Sequence, residues 1–442
     1  MSIKVFYCYA HEDKALRATL EKHLGNLKRQ ELITGWSDRN IDAGKEWAKE
    51  IDSNLNVANI ILLLISPDFM HSEYCYSIEM RHALERHENG TARVIPIILR
   101  HVEYEGAPFS RLQALPTGAV PIADRKWRNR DEAFYDVAQG IRKVVKELLS
   151  EQWLYEGNVH FYREEYEEAL TAFERAICFD PTNASAYIGQ GETLVQLIPK
   201  QADPFLYDRH EKALAAFERA IILDETNARA FVGKGKVLYN LAAPFITEEE
   251  KAKIFEALER AINLDPKNAD AYTIKGDAFT VLEQYEDAVR AYEKAIEVAD
   301  FFNRYACNSK GDSLYELGRY EQAISAYDRV IQETFENAYA HKHKGDALYK
   351  LKRYEEALAA YEQAISLNYL DASIYTKKGN SLYHLNRYQE ALAAYEQVIQ
   401  FGSFKQLEAF KGKGNVLQSL AQEAFNKAGV DSPFLPDLPD DL

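Results

Sequence analysis

The sequence predicts two architectures in one chain: an α/β domain built on a parallel sheet over residues 1–149, then an all-α superhelical solenoid over residues 150–428. Three observations predict it. The first third alternates β-rich apolar runs with segments of helical apolar spacing. Beyond it, eight glycines (Gly157, Gly191, Gly235, Gly276, Gly311, Gly345, Gly379 and Gly414) recur in one local pattern at spacings of 34, 44, 41, 35, 34, 34 and 35. Charge also divides at the same place: residues 1–149 balance 21 Lys and Arg against 21 Asp and Glu, so the net charge of −16 falls entirely on the remainder.

In the first domain, IKVFYCYA (3–10) reads as a strand. The segment 11–31 reads as a helix carrying Leu16, Leu20, Leu24 and Leu27 on one face, with Asp13 or His11 able to cap its start. ITGWSD, a polar segment RNIDAGKE and a short helix WAKEIDSNLNVA follow. ANIILLLIS (58–66) is apolar without interruption, as a strand covered on both faces must be. A Ser66-Pro67-Asp68 turn then opens the helix HSEYCYSIEM (71–80), and ARVIPIILR (92–100) supplies another strand. A loop rich in Pro and Gly leads to a helix from about Asp131. Its apolar spacing continues through Val144, Val145, Leu148, Leu149 and Trp153 without Pro, which predicts rigid docking onto the solenoid rather than a flexible tether.

In the solenoid the second helix of each unit repeats as EEYEEALTAFERAICFDP, EQYEDAVRAYEKAIEVAD, GRYEQAISAYDRVIQ, KRYEEALAAYEQAIS and NRYQEALAAYEQVIQ. A 34-residue period of this kind marks stacked helix pairs. About seven pairs and a closing helix are expected over residues 150–428, then an acidic, Pro-rich tail over 429–442. The longer spacings place extra residues, IPKQADPFLYDRHE and AAPFITEEEKAK, between the helices of the second and third units. Their Pro204-Phe205 and Pro244-Phe245 pairs suggest a contact surface.

Composition excludes several classes. Apolar residues make up 47% and charged residues 28%, which suits a folded soluble protein. No apolar run has the length of a membrane helix, the first residues do not read as a leader, and neither half carries a nucleic-acid binder's basic footprint. Cys8, Cys75, Cys178 and Cys307 form no C-x-x-C pair, so a reduced, cytoplasmic protein without a metal is expected. Phosphate-loop, dinucleotide-binding and hydrolase-elbow motifs are missing.

Three blocks remain. VFYCYAHED, the pattern set by Asp38, Ile41, Gly44, Trp47 and Ile51, and the Ser66-Pro67-x-Phe69 turn leading from Ser72 to Glu79 stand in the order of the three boxes of a Toll/interleukin-1 receptor (TIR) domain. Residues 1–149 resemble a bacterial TIR domain of flavodoxin-like fold. The later residues, with Trp153, Gly157, Ala169, Phe173, Ala176 and Pro181 in the first unit, resemble tetratricopeptide repeats.

The resemblance implies cleavage of NAD⁺ at the nicotinamide–ribose bond, with NAD⁺ as substrate rather than cofactor. Glu79 matches the family's catalytic carboxylate. Its helix neighbours at i+3 and i+4 are His82 and Ala83, so an ordinary helical ion pair does not account for it. Cys8, Tyr9, Ala10, Trp36, Asp38, Trp47, Ser72, Tyr74, Cys75 and Tyr76 are the candidate substrate contacts. Asp38, Arg39, Ile41 and Gly44 match the BB loop, through which TIR domains of the family self-associate and complete one another's sites. The family often places a Trp four residues before the acid. That position holds Cys75 here, flanked by Tyr74 and Tyr76, so one extra residue separates Tyr74 from the carboxylate. The architecture further implies a protein or peptide ligand on the repeats and a role in bacterial antiviral immunity, or else a non-catalytic adaptor.

Overall fold

The computed structural model describes residues 2–36, 47–197, 206–243, 245–334, 336–367, 371–400 and 406–428, and forms two compact units, Met1–Leu223 and Asp224–Leu442. In the first unit, β1 (Ile3–Tyr9), β2 (Ile33–Trp36), β3 (Ile60–Ile65) and β4 (Arg93–Ile98) make a parallel sheet in the order β2-β1-β3-β4. The helices joining them are α1 (Lys14–His23), α2 (Gly25–Arg29), α3 (Trp47–Val57), α4 (Pro67–His71) and α5 (Met80–Glu88).

Alternation along the strands divides the core into two layers. Val5 and Tyr7 of β1 and Leu62 and Leu64 of β3 face Leu20, Leu24 and Leu27 and one side of α6 (Arg130–Tyr162). Phe6, Cys8, Ile61, Leu63 and Ile65 face Ile51, Leu55, Phe69, Met80, Ala83 and Leu84 of α3, α4 and α5. All six residues of β3 are buried, the burial expected of a central parallel strand.

The 11–31 segment breaks at Leu24, where α1 ends and α2 begins, yet Leu20, Leu24 and Leu27 remain on the buried side. Asp13 precedes α1 but does not cap it. Its carboxylate is 2% exposed and turned inward to Ser66 and Arg100, so the capping expectation fails.

Helix α6 passes through residues 149 and 150 unbroken. Its first half buries Phe134, Val137 and Ile141 against the sheet, while further along Ser150 donates to Ala176 O at 2.9 Å in α7 (Tyr166–Phe179). Phe179 packs back onto the α/β core. The same helix therefore closes the sheet and opens the first repeat, and α8 (Ala184–Gln196) and α9 (Leu206–Leu223) complete this unit.

The second unit holds α10 (Ala228–Ala242), α11 (Glu248–Leu264), α12 (Ala269–Val281), α13 (Tyr285–Val298), α14 (Arg304–Glu316), α15 (Tyr320–Glu333), α16 (Ala338–Lys350), α17 (Tyr354–Ser366), α18 (Ala372–His384), α19 (Tyr388–Gln400) and α20 (Gln406–Ala428). The repeated glycines are sites of close approach. A Cβ at Gly276, Gly311, Gly345 or Gly379 would lie 2.5, 2.6, 2.6 or 2.6 Å from the rings of Tyr292, Tyr327, Tyr361 and Tyr395, respectively. Gly414, on the closing helix, meets nothing within 4 Å. Asn183, Asn268, Asn303 and Asn337 each cap a helix by accepting from the backbone N–H three residues on. Residues 198–205, Pro244 and the tail 429–442 lie outside the described residues; Phe245, from the second inserted segment, is exposed.

Candidate active site

The sheet order makes a site before any side chain is considered. The connection leaving β1 runs outward to β2 and the connection leaving β3 runs the other way to β4, so a crevice opens at the carboxyl ends of β1 and β3. Among the described residues β2 pairs with β1 as far as Phe6↔Trp36, and β1 continues to Tyr9 alongside β3. A cleft of about 410 Å³ lies there, lined by Tyr7, Tyr9, Ala10, His11, Glu12, Ile51, Asp68, His71, Ser72, Tyr74, Cys75 and Glu79, with Phe6 at its base. That volume is typical of a small-ligand site.

Residues Tyr74–Glu79 form a π-helical turn in which Met80 N–H bonds to Cys75 O, five residues back. In an α-helix a residue five positions away lies about 140° round the axis. The wider turn makes positions i and i+5 near neighbours. Tyr74 and Cys75 therefore share the cleft face with Glu79, and the extra residue between aromatic and acid is absorbed. Tyr76 lines a separate groove with Met80, Arg81 and Leu84, whereas Tyr74 lines the cleft.

Glu79 is 6% exposed. Cys8, fully buried behind it on β1, donates its thiol proton to Glu79 Oε2 at 2.8 Å and does not itself line the cleft. Burial, then contact with Cys75 and Glu79, pushes the Cys8 thiol well up. Cys75 goes the other way: its hydrogen bond from Cys8 outweighs burial and brings it down to about 7. Tyr74 is pushed up to about 12 by burial and the neighbouring Glu79 charge, so it stays a neutral phenol.

The rim is welded by an ionic network that local pattern did not reveal. Ser66 caps α4 by accepting from Phe69 N at 3.1 Å and gives its own proton to Asp13. Arg100, just after β4, holds Asp13 Oδ1 through Nη2 at 2.8 Å and Nε at 3.1 Å, and also pairs with Asp68. Beneath Tyr9, the guanidinium of Arg17 stands 5.1 Å from the ring centroid; Arg17 is 1% exposed and lies 3.5 Å from Glu21.

Of the candidate residues, Tyr9, Ala10, Ser72, Tyr74, Cys75 and Glu79 come together at one cleft. Asp38, Arg39, Ile41 and Gly44 lie outside the described residues, as do the side chains of Trp36 and Trp47. His11, Glu12, Ile51, Asp68 and His71 also line the cleft and were missed. His11 and Glu12 directly follow the first-strand box, a positional signal that could have found them.

Residues 5–134 match the family described as TIR domain. Residues 256–301, 308–365 and 344–405 match one tetratricopeptide repeat family, and residues 157–197 another. An uncharacterized protein, y4lF of Sinorhizobium fredii (strain NBRC 101917 / NGR234), is 50% identical over 141 residues; the match covers 32% of this chain and 43% of that protein, less than half its length. Among solved structures, YrrB, described as a TPR protein with an unusual peptide-binding site, is 20% identical with a TM-score of 0.40, covering 46% of this chain and 99% of its own. A tetratricopeptide repeat protein from Parabacteroides merdae ATCC 43184 is 14% identical with a TM-score of 0.40, covering 61% and 99%. No described helix is long and apolar enough to cross a membrane.

Proposed function

From the premise that this chain carries a TIR domain followed by tetratricopeptide repeats, we propose that it is an NAD⁺ glycohydrolase or cyclase with Glu79 as the essential carboxylate. The observation that carries the reading is the position of Glu79: sequestered at the crevice of a parallel sheet, held by a thiol donor, with the phenol of Tyr74 on the same face.

The chemistry suits one carboxylate. Breaking the nicotinamide–ribose bond develops oxocarbenium character on the ribose. Nicotinamide leaves as a neutral molecule, because the bonding pair quenches its own ring charge, so no general acid is needed. Glu79 would hold the ribose hydroxyls and stabilise the developing cation. Attack by water yields ADP-ribose, nicotinamide and a proton; attack by a group of the same nucleotide yields a cyclic product. Tyr74 and Tyr9 offer π faces for the departing ring. The repeats would bind a protein or peptide and bring copies together. TIR self-association would then complete the site, and nucleotide loss or a cyclic signal would serve bacterial immunity.

The test is nicotinamide release from NAD⁺ by the full chain across a range of assembled states, beside Glu79→Gln. Turnover that disappears in the variant supports the reading. No turnover in any oligomeric state leaves the adaptor function instead, and full turnover in Glu79→Gln overturns Glu79 as the essential carboxylate.

A further inference from the structure

Arg17 is 1% exposed, yet its Nε, Nη1 and Nη2 find no hydrogen-bond partner among the described residues. A guanidinium taken out of water ordinarily meets carbonyls or carboxylates, because donors left unmade there cost free energy. Arg17 has an ionic contact with Glu21, Nη1 to Oε2 at 3.5 Å. Glu21 is shared with Lys28, whose Nζ lies 3.3 Å from Oε1. Two cations on one carboxylate leave a positive charge in surplus. The guanidinium also covers an aromatic ring, standing 5.1 Å from the centroid of Tyr9. Tyr9 lines the cleft and Arg17 does not. The cleft therefore meets a ring backed by a buried cation. Successive residues of β1 point to opposite layers. Cys8 reaches Glu79 in one layer, while Tyr9 packs in the other with α1, the helix that carries Arg17. The end of this strand thus has a carboxylate on one side and a guanidinium on the other.

We propose that Arg17, acting through Tyr9, tilts the cleft toward a neutral aromatic ring and against a cationic one, and so favours the charge shift of nicotinamide release. The link to release rests on the glycohydrolase reading; the ring preference does not. In NAD⁺ the nicotinamide ring carries the positive charge. As the bond from the ribose to the ring nitrogen breaks, both electrons stay with the nitrogen. The ring becomes neutral and the positive charge passes to the ribose. A tyrosine face alone attracts a cation. With Arg17 already over Tyr9, a second cation stacked on that ring is opposed. Stacked rings lie at centroid distances of about 4.5 Å or more, which puts the ligand's charge about 10 Å from the guanidinium. At an effective dielectric of about 20, two unit charges at that distance change binding by about tenfold. The neutral product ring escapes this repulsion. Glu79 stabilises the charge on the ribose while Arg17 disfavours it on the ring, so both lower the barrier to its transfer. Arg17 touches neither the ring nor the ribose, and is a specificity-determining residue rather than a catalytic one.

The experiment titrates the full chain, across its assembled states, with nicotinamide and with its ring-N-methylated cation. The two rings match in shape and differ in charge, and ligand-observed NMR gives a Kd for each. The ratio of the two is the readout. Arg17→Met keeps the length of the side chain and removes its charge, so the ratio should move about tenfold toward the cation. Arg17→Lys keeps the charge and should hold the ratio near that of the unsubstituted chain. Glu21→Gln removes the offsetting carboxylate and should move the ratio the other way, toward the neutral ring. A change of packing alone would not send the Met and Gln variants in opposite directions. Ratios that stay put in both, or shift the same way in both, overturn the proposal, as does failure of either ring to bind. Should Arg17→Met not fold, the direction in Glu21→Gln decides. Turnover is read separately. Arg17→Met should lower kcat and KM together, because it relieves a bound state that the charge disfavours. A fall in kcat with KM unchanged or raised overturns the link to release. Ratios that move as expected, with no turnover in any state, uphold the ring preference and count against the glycohydrolase reading.

Discussion

Cys8 and Glu79 meet across 71 positions of sequence, thiol sulfur to carboxylate oxygen at 2.8 Å. The bond ties the first strand to the π turn and holds one oxygen of the carboxylate. Removing the donor should therefore disturb the orientation of Glu79 more than it disturbs the core. A hydrogen bond to a charged group contributes about 1.5–3 kcal/mol, so Cys8→Ala is expected to lower nicotinamide release by at least about tenfold. Cys8→Ser keeps a donor of similar reach and should recover most of that loss. Matching rates in the Ala and Ser variants would show that the thiol does not position the acid.

The π turn makes its own prediction. Deleting Ser77 leaves an α-helical segment with Tyr74 four residues before the acid, where α-helical spacing keeps it on the cleft face. Inserting an alanine after Ser77 would lengthen the spacing beyond what a π turn absorbs. The deletion should leave the thermal midpoint equal or higher, since the widened turn is no longer required, whereas the insertion should lower it by several degrees. A deletion variant that melts well below the unsubstituted chain would mean that the extra residue has a packing role of its own.

How much of this could be read from sequence follows from the range of each interaction. The repeats were legible because each unit restates its close approach, a glycine under a Tyr, Phe or Leu, within about 15 to 25 residues. Glu79 was legible through motif spacing and the missing helical cation. The π turn was not, because apolar periodicity does not distinguish a residue looped out from one absorbed by widening the helix. Nor was the separation of Tyr74 and Tyr76 into two grooves. Asp13 was misread as a cap because its partners, Ser66 and Arg100, are joined to it only by the sheet order. The same holds for the contact of Cys8 with Glu79, which sit in separate motifs.

The network at the rim should be asymmetric under mutation. Asp13 is buried and Arg100 is a third exposed. Arg100→Ala leaves a buried carboxylate with only Ser66 as a described partner, and breaking a buried pair in this way costs about 3–5 kcal/mol. Asp13→Ala leaves a guanidinium that can turn to water and still reach Asp68, so it should cost less, about 1–3 kcal/mol. Urea unfolding of the two variants decides the order; a larger loss for Asp13→Ala would reverse the assignment.

Two glycines of one repeated pattern should respond in opposite directions. A Cβ on Gly311 would sit 2.6 Å from the Tyr327 ring, whose hydroxyl is held by Asp312 at 2.7 Å and cannot yield freely. Overpacking of this kind costs about 1–3 kcal/mol. Gly414→Ala meets open space inside a helix, where Ala is favoured by about 0.5–1 kcal/mol. Thermal melts should therefore fall for Gly311→Ala and hold or rise for Gly414→Ala. A matched fall in both would mean that the closing helix is packed more tightly than its surroundings indicate.

Alkylation offers a reading of Cys75 that does not depend on turnover. Iodoacetamide reacts with the thiolate, so the rate at Cys75 should rise with pH through a midpoint near 7 rather than near the ordinary thiol value of 9.0. The causes set the sign. The hydrogen bond from Cys8 stabilises the thiolate, Ser72 adds to it, and burial and the Glu12 charge oppose them. Cys8→Ala removes the largest favourable cause and leaves burial in place, so the midpoint should move up and the rate at pH 7 should fall. Because the folded thiol ionises below its unfolded value, Cys75 should add stability above about pH 7, fully so beyond pH 9.0, and that gain should disappear as pH falls through 7. Peptide-resolved alkylation from pH 5 to pH 10 measures the midpoint in both chains. A Cys75 midpoint that stays in place when Cys8 becomes Ala would assign the ionisation to Ser72 and the cleft rather than to the paired thiol.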